Sequence, residues 1–317
     1  MKGAYAILLN VTNYCNLNCK YCFLKPTESL YDEKEDMTLK TAKKATLLFL
    51  RDPSTATTPE IVLYGFEPLL NWVMLTKYIK WANKNIRKQI KNISIYTNGT
   101  LLDSEKIEFL IQNRIKLKIS VDAFFEENYR NRKINKKTYE QIMNSISTIS
   151  ERSNLLEISM VITKETLKSL KRNLSLTVSK NPQNIILLRN TREHFSYFEK
   201  LKILKEVQRI RERNKKLNFV FLPEFMGCCL NSKTTHVLVY PNGDVFDICI
   251  VSEVVQLGKK LKSVKKENLI TYLGNIHSNY SFSVDKRNKK KVCKAVKCPT
   301  IHKAFGLLSK RYRDSLY

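Results

Sequence analysis

The sequence predicts an α/β protein: an open, partial (β/α)6 barrel followed by a small cysteine-rich domain built around a β-hairpin. Three observations point there. Short β-branched runs alternate six times with longer helix-patterned stretches, the pattern of a parallel sheet with right-handed crossovers. After about Leu222 the alternation stops, and Pro241-Asn242-Gly243-Asp244 gives a strong hairpin turn signal. The eight cysteines fall into two groups, three within Cys15–Cys22 and five within Cys228–Cys298. Six β-α units are too few to close an eight-stranded barrel, so the sheet stays open. The expected boundary assigns residues 1–222 to the barrel and residues 223–317 to the second domain.

Each element follows from its local pattern. Tyr5–Thr12 is a continuous apolar run, as a strand buried on both faces requires, and Leu39–Arg51 has helical spacing. Strand Ile61–Gly65 precedes a helix over Leu69–Arg87, and strand Ile93–Thr97 precedes a helix over Ser104–Asn113 with Asp103 as N-cap. Strand Leu117–Val121 leads to helix Thr138–Glu151, and Leu156–Ile162 to Thr166–Val178. Ile185–Leu188 is the sixth strand, followed by the long basic helix Phe195–Lys215. Val237–Tyr240 and Val245–Ile248 form the hairpin. The basic runs Lys259–Lys266 and Lys286–Lys291 read as solvated surface. In parallel sheets of this kind, ligands sit at the carboxyl ends of the strands.

Composition narrows the class. The chain has 317 residues and 43 % hydrophobic content, enough for a core and too much for a disordered basic tail. No apolar run approaches the ~18–20 residues of a membrane-spanning helix, and Met1–Asn10 lacks the features of a secretory signal. Clustered cysteines in a chain without such a signal point to metal ligands rather than disulfides, hence to the cytoplasm. Glycine is scarce, with eight residues against a usual frequency of about 7 %. Four of the eight fall in the motifs below.

Cys15-Asn-Leu-Asn-Cys19-Lys-Tyr-Cys22 has C-x3-C-x2-C spacing directly after the first strand. Thiolates suit zinc or iron–sulfur clusters. A zinc site wants a fourth ligand, and the nearest histidine, His194, is far along the chain. Three thiolates on a cubane of four irons leave one iron open. In this spacing, in Tyr21 before the third cysteine, and in its place after strand one, the sequence resembles the radical SAM superfamily.

Further segments carry the resemblance. Tyr64-Gly65-Phe66-Glu67-Pro68 is similar to the family's Gly-Gly-Glu-Pro segment, with Phe66 in place of the second glycine. Thr97-Asn98-Gly99-Thr100-Leu101-Leu102 is similar to a turn after the family's third strand. Ser120-Val121-Asp122-Ala123 matches Ser-Leu-Asp-Gly, with Ala123 replacing glycine. The resemblance implies a [4Fe–4S] cluster on Cys15, Cys19 and Cys22. It also implies S-adenosyl-L-methionine chelated to the open iron and cleaved to a 5′-deoxyadenosyl radical. Tyr21, Gly65, Glu67, Asn98, Ser120 and Asp122 are the implied cofactor-binding residues.

The later cysteines, Cys228, Cys229, Cys249, Cys293 and Cys298, flank the hairpin, with Leu273-Gly274-Asn275-Ile276 downstream. This arrangement resembles the SPASM or shorter twitch extension of peptide-modifying relatives, which carries auxiliary [4Fe–4S] clusters. Five thiols support one auxiliary cluster with one thiol left over; a zinc ribbon is the alternative. Gly243 to Cys249 is G-x5-C where the family has G-x4-C. Either a bulge brings Cys249 to the cluster, or the Cys228-Cys229 pair supplies two ligands. One of Cys228, Cys229 and Cys249 is then free to donate a hydrogen atom.

The function implied is radical modification of a ribosomally synthesised precursor peptide, with L-to-D epimerisation first and thioether or carbon–carbon cross-linking second. An external donor such as flavodoxin or ferredoxin supplies electrons. The net charge of +27 raises RNA modification as a further alternative, yet the excess is spread along the chain and equally suits an acidic peptide. A non-enzymatic iron–sulfur binding or sensor protein is the last reading. Arg189, closing strand six, is a candidate for holding a substrate carboxylate or carbonyl. Because strand one begins at about residue 5, the peptide's leader is expected to dock on the barrel, on the second domain or on a separate protein.

Overall fold

The computed structural model describes residues 4–22, 24, 35–52, 55–190, 193, 195–221, 235–247 and 272–275. The six β-α units are present. They run β1 (Ala4–Asn10), α1 (Leu39–Arg51), β2 (Thr55–Tyr64), α2 (Trp72–Asn85), β3 (Ile93–Thr97), α3 (Ser104–Gln112), β4 (Lys116–Ser120), α4 (Phe125–Arg132) and α5 (Lys136–Arg152). They continue with β5 (Leu156–Ile162), α6 (Leu170–Ser179), β6 (Asn184–Arg189) and α7 (Tyr197–Arg213). A seventh strand, β7 (Asn218–Phe221), pairs parallel with β6. The hairpin strands are β8 (Thr235–Val239) and β9 (Asp244–Asp247), and β10 (Tyr272–Asn275) lies beyond them.

The ten strands of the described residues form one sheet in the order β10-β9-β8-β1-β2-β3-β4-β5-β6-β7. The eight from β8 to β7 are parallel, with β9 and β10 added antiparallel at one edge. The hairpin assigned by sequence to the second domain is therefore hydrogen-bonded, through β8, to the first strand of the barrel. Its turn is the expected one. Gly243 has φ +91°, its N–H donates to the Tyr240 carbonyl at 2.9 Å, and Asn242 Oδ1 accepts from the Asp244 N–H at 3.0 Å.

Caps and spacing explain the helices. Thr38 caps α1, whose buried Thr41, Ala42, Ala45, Thr46 and Phe49 fall on one stripe. Asp103 caps α3 as expected, and Ser196 with Glu199 forms a capping box on α7. Three helices start later than the spacing predicts, α7 by two residues and α2 and α6 by more. Pro68–Asn71 winds as a 3-10 turn capped by Glu67 before α2 begins. Ahead of α6, the hydroxyls of Thr163 and Thr166 each accept from the other's N–H, at 3.1 and 2.9 Å, and so compete with the helix ladder. Helix α4 escapes the sequence pattern because FEENYRNR has no apolar periodicity.

The helices cover one face of the sheet. Ile7, Leu9, Ile61, Leu63, Ile95 and Ile119 pack there against Phe49, Leu75, Tyr78 and Ile146. On the opposite, concave face Ala6, Leu8, Val62, Leu238 and Tyr240 form a separate apolar cluster flanked by Tyr64 and Tyr96. Beside it lies a charged layer. Lys118 Nζ stands 3.4 Å from Glu60 and 3.9 Å from Glu157, while Lys116 reaches Glu157 at 3.6 Å. Ser94 and Asn184 donate to the same carboxylates at 3.0 and 2.7 Å. A buried pair of this kind contributes little net stability, but removing one partner strands the other charges. Lys118→Met is expected to cost about 3 kcal/mol, read by urea unfolding of the full chain.

Candidate functional site

The carboxyl ends of β1 to β4 converge on the loop that carries Cys15, Cys19 and Cys22. Asn71 Nδ2 donates to the carbonyls of Val11 and Met37, both at 3.1 Å, where that loop leaves β1. The Glu67 N–H donates to the Tyr14 carbonyl at 3.0 Å, and the Phe66 N–H to the Thr12 carbonyl at 3.4 Å. Farther along, Asn16 Nδ2 donates to Thr100 Oγ1 at 2.8 Å, and Asn98 Nδ2 donates to Asn16 Oδ1 at 2.9 Å. Asn98 Oδ1 closes the ring by accepting from the Thr100 N–H at 2.9 Å and its hydroxyl at 2.6 Å. The Lys20 N–H donates to the Asn131 carbonyl of α4 at 2.8 Å. The loop is thus tied at both ends and in the middle.

Gly65 shows why that segment starts with glycine. Its φ is +129°, and a Cβ there would overlap Asn10 Oδ1 and stand 2.9 Å from the Thr12 carbonyl. Phe66 occupies the second glycine position without preventing its own N–H from bonding Thr12. The other departure, Ala123, keeps the left-handed backbone that glycine normally supplies, at φ +29°. Tyr139 donates to the Ala123 carbonyl at 2.7 Å and helps hold it.

Glu67 is fully buried. Its Oε1 accepts from Thr97 Oγ1 at 2.8 Å and the Leu69 N–H at 3.1 Å, and its Oε2 accepts from the Asn98 N–H at 2.7 Å. Burial pushes the carboxyl up to about 7, with the three donors pulling the other way. Asp122 is also buried, and its Oδ2 accepts from the Tyr21 hydroxyl. Its Oδ1 accepts from the Val161 N–H at 3.3 Å, and Arg132 Nε lies 3.5 Å from Oδ2. Asn128 braces the segment, accepting from the Asp122 N–H at 3.0 Å and donating to the Asp122 carbonyl at 2.6 Å. Ser120 is half-buried at the end of β4. Of the residues expected at the cofactor, Glu67, Asn98 and Asp122 therefore spend their side chains holding the cysteine loop and the strand ends.

Cys15 is exposed as a residue, yet partial desolvation of its thiol pushes it up to about 11; the Leu17 N–H, at 3.4 Å, pulls it down, and Glu67, Cys19 and Cys22 add to the rise. Burial also raises Cys19, opposed first by the Arg132 cation. The three thiols are close enough to couple electrostatically. Raised thiols stay protonated at neutral pH until a metal displaces the protons. Among the described residues no three His, Cys, Asp or Glu side chains gather as tightly as a single ion requires. A cubane offers each thiolate its own iron, a looser donor set with which this triad is compatible.

Sequence reasoning missed Asn16, Asn71, Asn128, Asn131 and Arg132. Asn16 lies inside the cysteine motif and was legible as part of it. The α4 residues sit in a mostly polar stretch without apolar periodicity, so they carry no signal. Cys228, Cys229, Cys249, Cys293 and Cys298 lie outside the described residues, as do the two basic runs. Arg189 ends β6, as expected.

A family profile described as the Radical SAM superfamily matches residues 9–176, more than half of the chain. The chain belongs to the radical SAM superfamily. Radical SAM membership implies a [4Fe–4S] cluster and S-adenosylmethionine, and the donor set of Cys15, Cys19 and Cys22 fits the cluster. Over 121 residues the chain is 34 % identical to an uncharacterized protein of Methanocaldococcus jannaschii, covering 38 % of this chain and 40 % of that one. Over 174 residues it is 27 % identical to the radical SAM cyclopropyl synthase TigE of Paramaledivibacter caminithermalis, covering 51 % and 36 %. The alignments thus span well under half of these two curated relatives. Among solved structures, anSMEcpe with bound AdoMet superposes with a TM-score of 0.65 at 18 % identity, over 92 % of this chain and 83 % of that one. Streptococcus suis SuiB bound to precursor peptide SuiA gives 0.64 at 14 % identity, over 89 % and 64 %. At such identities these two likenesses establish the fold. Among the described residues no helix is long and apolar enough to cross a membrane.

Two outcomes are expected at this radical SAM site. Gly65→Ala combines a positive φ with a backbone overlap and is expected to cost about 2–4 kcal/mol in thermal unfolding. For Glu67, the folded carboxyl lies above its ordinary value, so the folded chain favours the neutral form. Its stabilising contribution is complete below about pH 4.5 and lost as pH rises through about 7. Urea unfolding from pH 4 to pH 8 should show wild type losing about 3 kcal/mol relative to Glu67→Gln across that window.

Proposed function

We propose that this protein is a radical SAM enzyme that removes a hydrogen atom from a ribosomally synthesised peptide and epimerises the residue it attacks. The observation that carries the reading is one cysteine beyond the number a cluster needs. Five late cysteines, Cys228, Cys229, Cys249, Cys293 and Cys298, stand against four ligand positions of one auxiliary [4Fe–4S] cluster in a SPASM or twitch-like domain over residues 223–317. When bound, the N-terminal cluster and S-adenosylmethionine supply the hydrogen-abstracting radical.

A peptide Cα–H is a natural target because its radical spreads over the flanking amides. The spare thiol, on Cys228, Cys229 or Cys249, returns a hydrogen atom from the opposite face and inverts the configuration. One electron and one proton then restore that thiol, the electron coming from a flavodoxin- or ferredoxin-like donor. Cys15, Cys19 and Cys22 hold the catalytic cluster. Tyr21, Gly65, Glu67, Asn98, Ser120 and Asp122 frame the S-adenosylmethionine pocket, with the half-exposed Ser120 facing the cofactor and the buried residues fixing the frame. The substrate class is supported by the fold neighbour bound to a precursor peptide. A net charge of +27 favours an acidic partner.

The second reading is oxidative cross-linking, favoured by the identity to a cyclopropyl synthase. The readings separate by mass. The protein is co-expressed in heavy water with a candidate precursor peptide. Epimerisation adds one deuterium per modified residue and leaves connectivity unchanged. A product two hydrogens lighter, without solvent deuterium, establishes cross-linking instead. Reconstituted protein that forms no 5′-deoxyadenosine under reducing conditions removes both readings.

A further inference from the structure

Arg132 is an unusual residue to find inside this site. It is 4 % exposed, while Arg130, two residues earlier, is exposed and paired with Glu165 at the surface. Burying a guanidinium costs several kcal/mol after relaxation, so its surroundings must compensate. Asp122 does so in part, at 3.5 Å from Nε, and the Tyr21 ring lies 5.5 Å from the guanidinium carbon. Among the described residues Nε has no hydrogen-bond partner. The cation is held where it lies by α4, whose Asn131 carbonyl grips the Lys20 N–H between the second and third cysteines of the motif. Tyr21, two residues after Cys19 and directly before Cys22, donates its hydroxyl to the same Asp122 carboxylate, so the cation is seated against the cysteine loop itself.

We propose that Arg132 is a positioning residue that raises the reduction potential of the cluster held by Cys15, Cys19 and Cys22, through its buried charge against Tyr21 of the cysteine loop. This rests on the reading that those three thiolates hold the catalytic cluster. Three thiolates on an oxidised [4Fe–4S] core leave a net negative charge, and reduction adds another. A fixed cation at a buried position stabilises that added electron, whereas a surface cation is screened. Arg130 therefore contributes little.

The test is an anaerobic redox titration, followed by electron paramagnetic resonance, of the full chain reconstituted with iron and sulfide. The signal followed is the one absent when Cys15, Cys19 and Cys22 are all replaced by alanine. If no signal depends on those cysteines, the reading of the triad fails, independently of Arg132. With that signal present, Arg132→Met is expected to disfavour reduction about tenfold, a shift of about 59 mV to lower potential for one electron. Arg132→Lys is expected to stay within about twofold of wild type, and Arg130→Met to leave the potential unchanged. An unaltered potential in Arg132→Met overturns the proposal. Equal shifts or equal loss of iron in Arg132→Lys and Arg132→Met assign the residue to packing and also overturn it. If only Arg132→Met fails to hold iron, Arg132→Gln replaces it with the same two outcomes.

Discussion

The cysteine loop has no backbone ladder of its own, so its shape depends on hydrogen bonds borrowed from the carboxyl ends of neighbouring strands. A strand or helix enforces its geometry through repetition, but this loop must be held contact by contact. Glu67 shows how that is done. One carboxylate gathers the Thr97 hydroxyl, the Asn98 N–H and the Leu69 N–H, and so binds the end of β2 to the turn after β3. Its own N–H holds the Tyr14 carbonyl beside the first cysteine. Three separate pieces of chain are fixed by the side chain and backbone of one residue. Side chains placed on strand ends hold a site more exactly than loop residues alone could.

The polar network divides the work between two braces. Asn98, Asn16 and Thr100 secure the early part of the loop, and Asp122, Tyr21 and Arg132 secure its end. The second network is buried and the first runs from the buried Asn98 out to the exposed Asn16; in the buried parts every unmet donor or acceptor is expensive. That cost favours one arrangement over near alternatives. It also explains how the chain departs from the usual glycines at Phe66 and Ala123 without losing the geometry. Phe66 needs only its N–H, and the backbone around Ala123 is held by Asn128 and Tyr139.

Much of this was legible in the sequence because the relevant signals are short and local. The strand runs, the C-x3-C-x2-C spacing, the Asp103 cap and the hairpin turn each depend on a few adjacent residues. Contributions defined by distant neighbours were not legible. Glu67 and Asp122 could be singled out, but not that their carboxylates would be occupied by protein donors. Helix α4 was invisible because the side chains it buries are two asparagines and an arginine rather than an apolar stripe. The attachment of the hairpin to β1 was likewise hidden, since period and turn chemistry do not name a strand's neighbour on the sheet.

That attachment has a consequence for the order of events as the chain is made. The strand from which the cysteine loop springs is an inner strand, flanked by β2 on one side and by β8 on the other. Its second flank arrives only after the whole run of β-α units has left the ribosome. Until then β1 presents a bare edge, the kind of surface that recruits wrong partners. Such a long-range closure slows folding, because the entropy of bringing the ends together is spent before the contact rewards it. The strand on which the cysteine loop is founded thus stays half open until synthesis has passed β8.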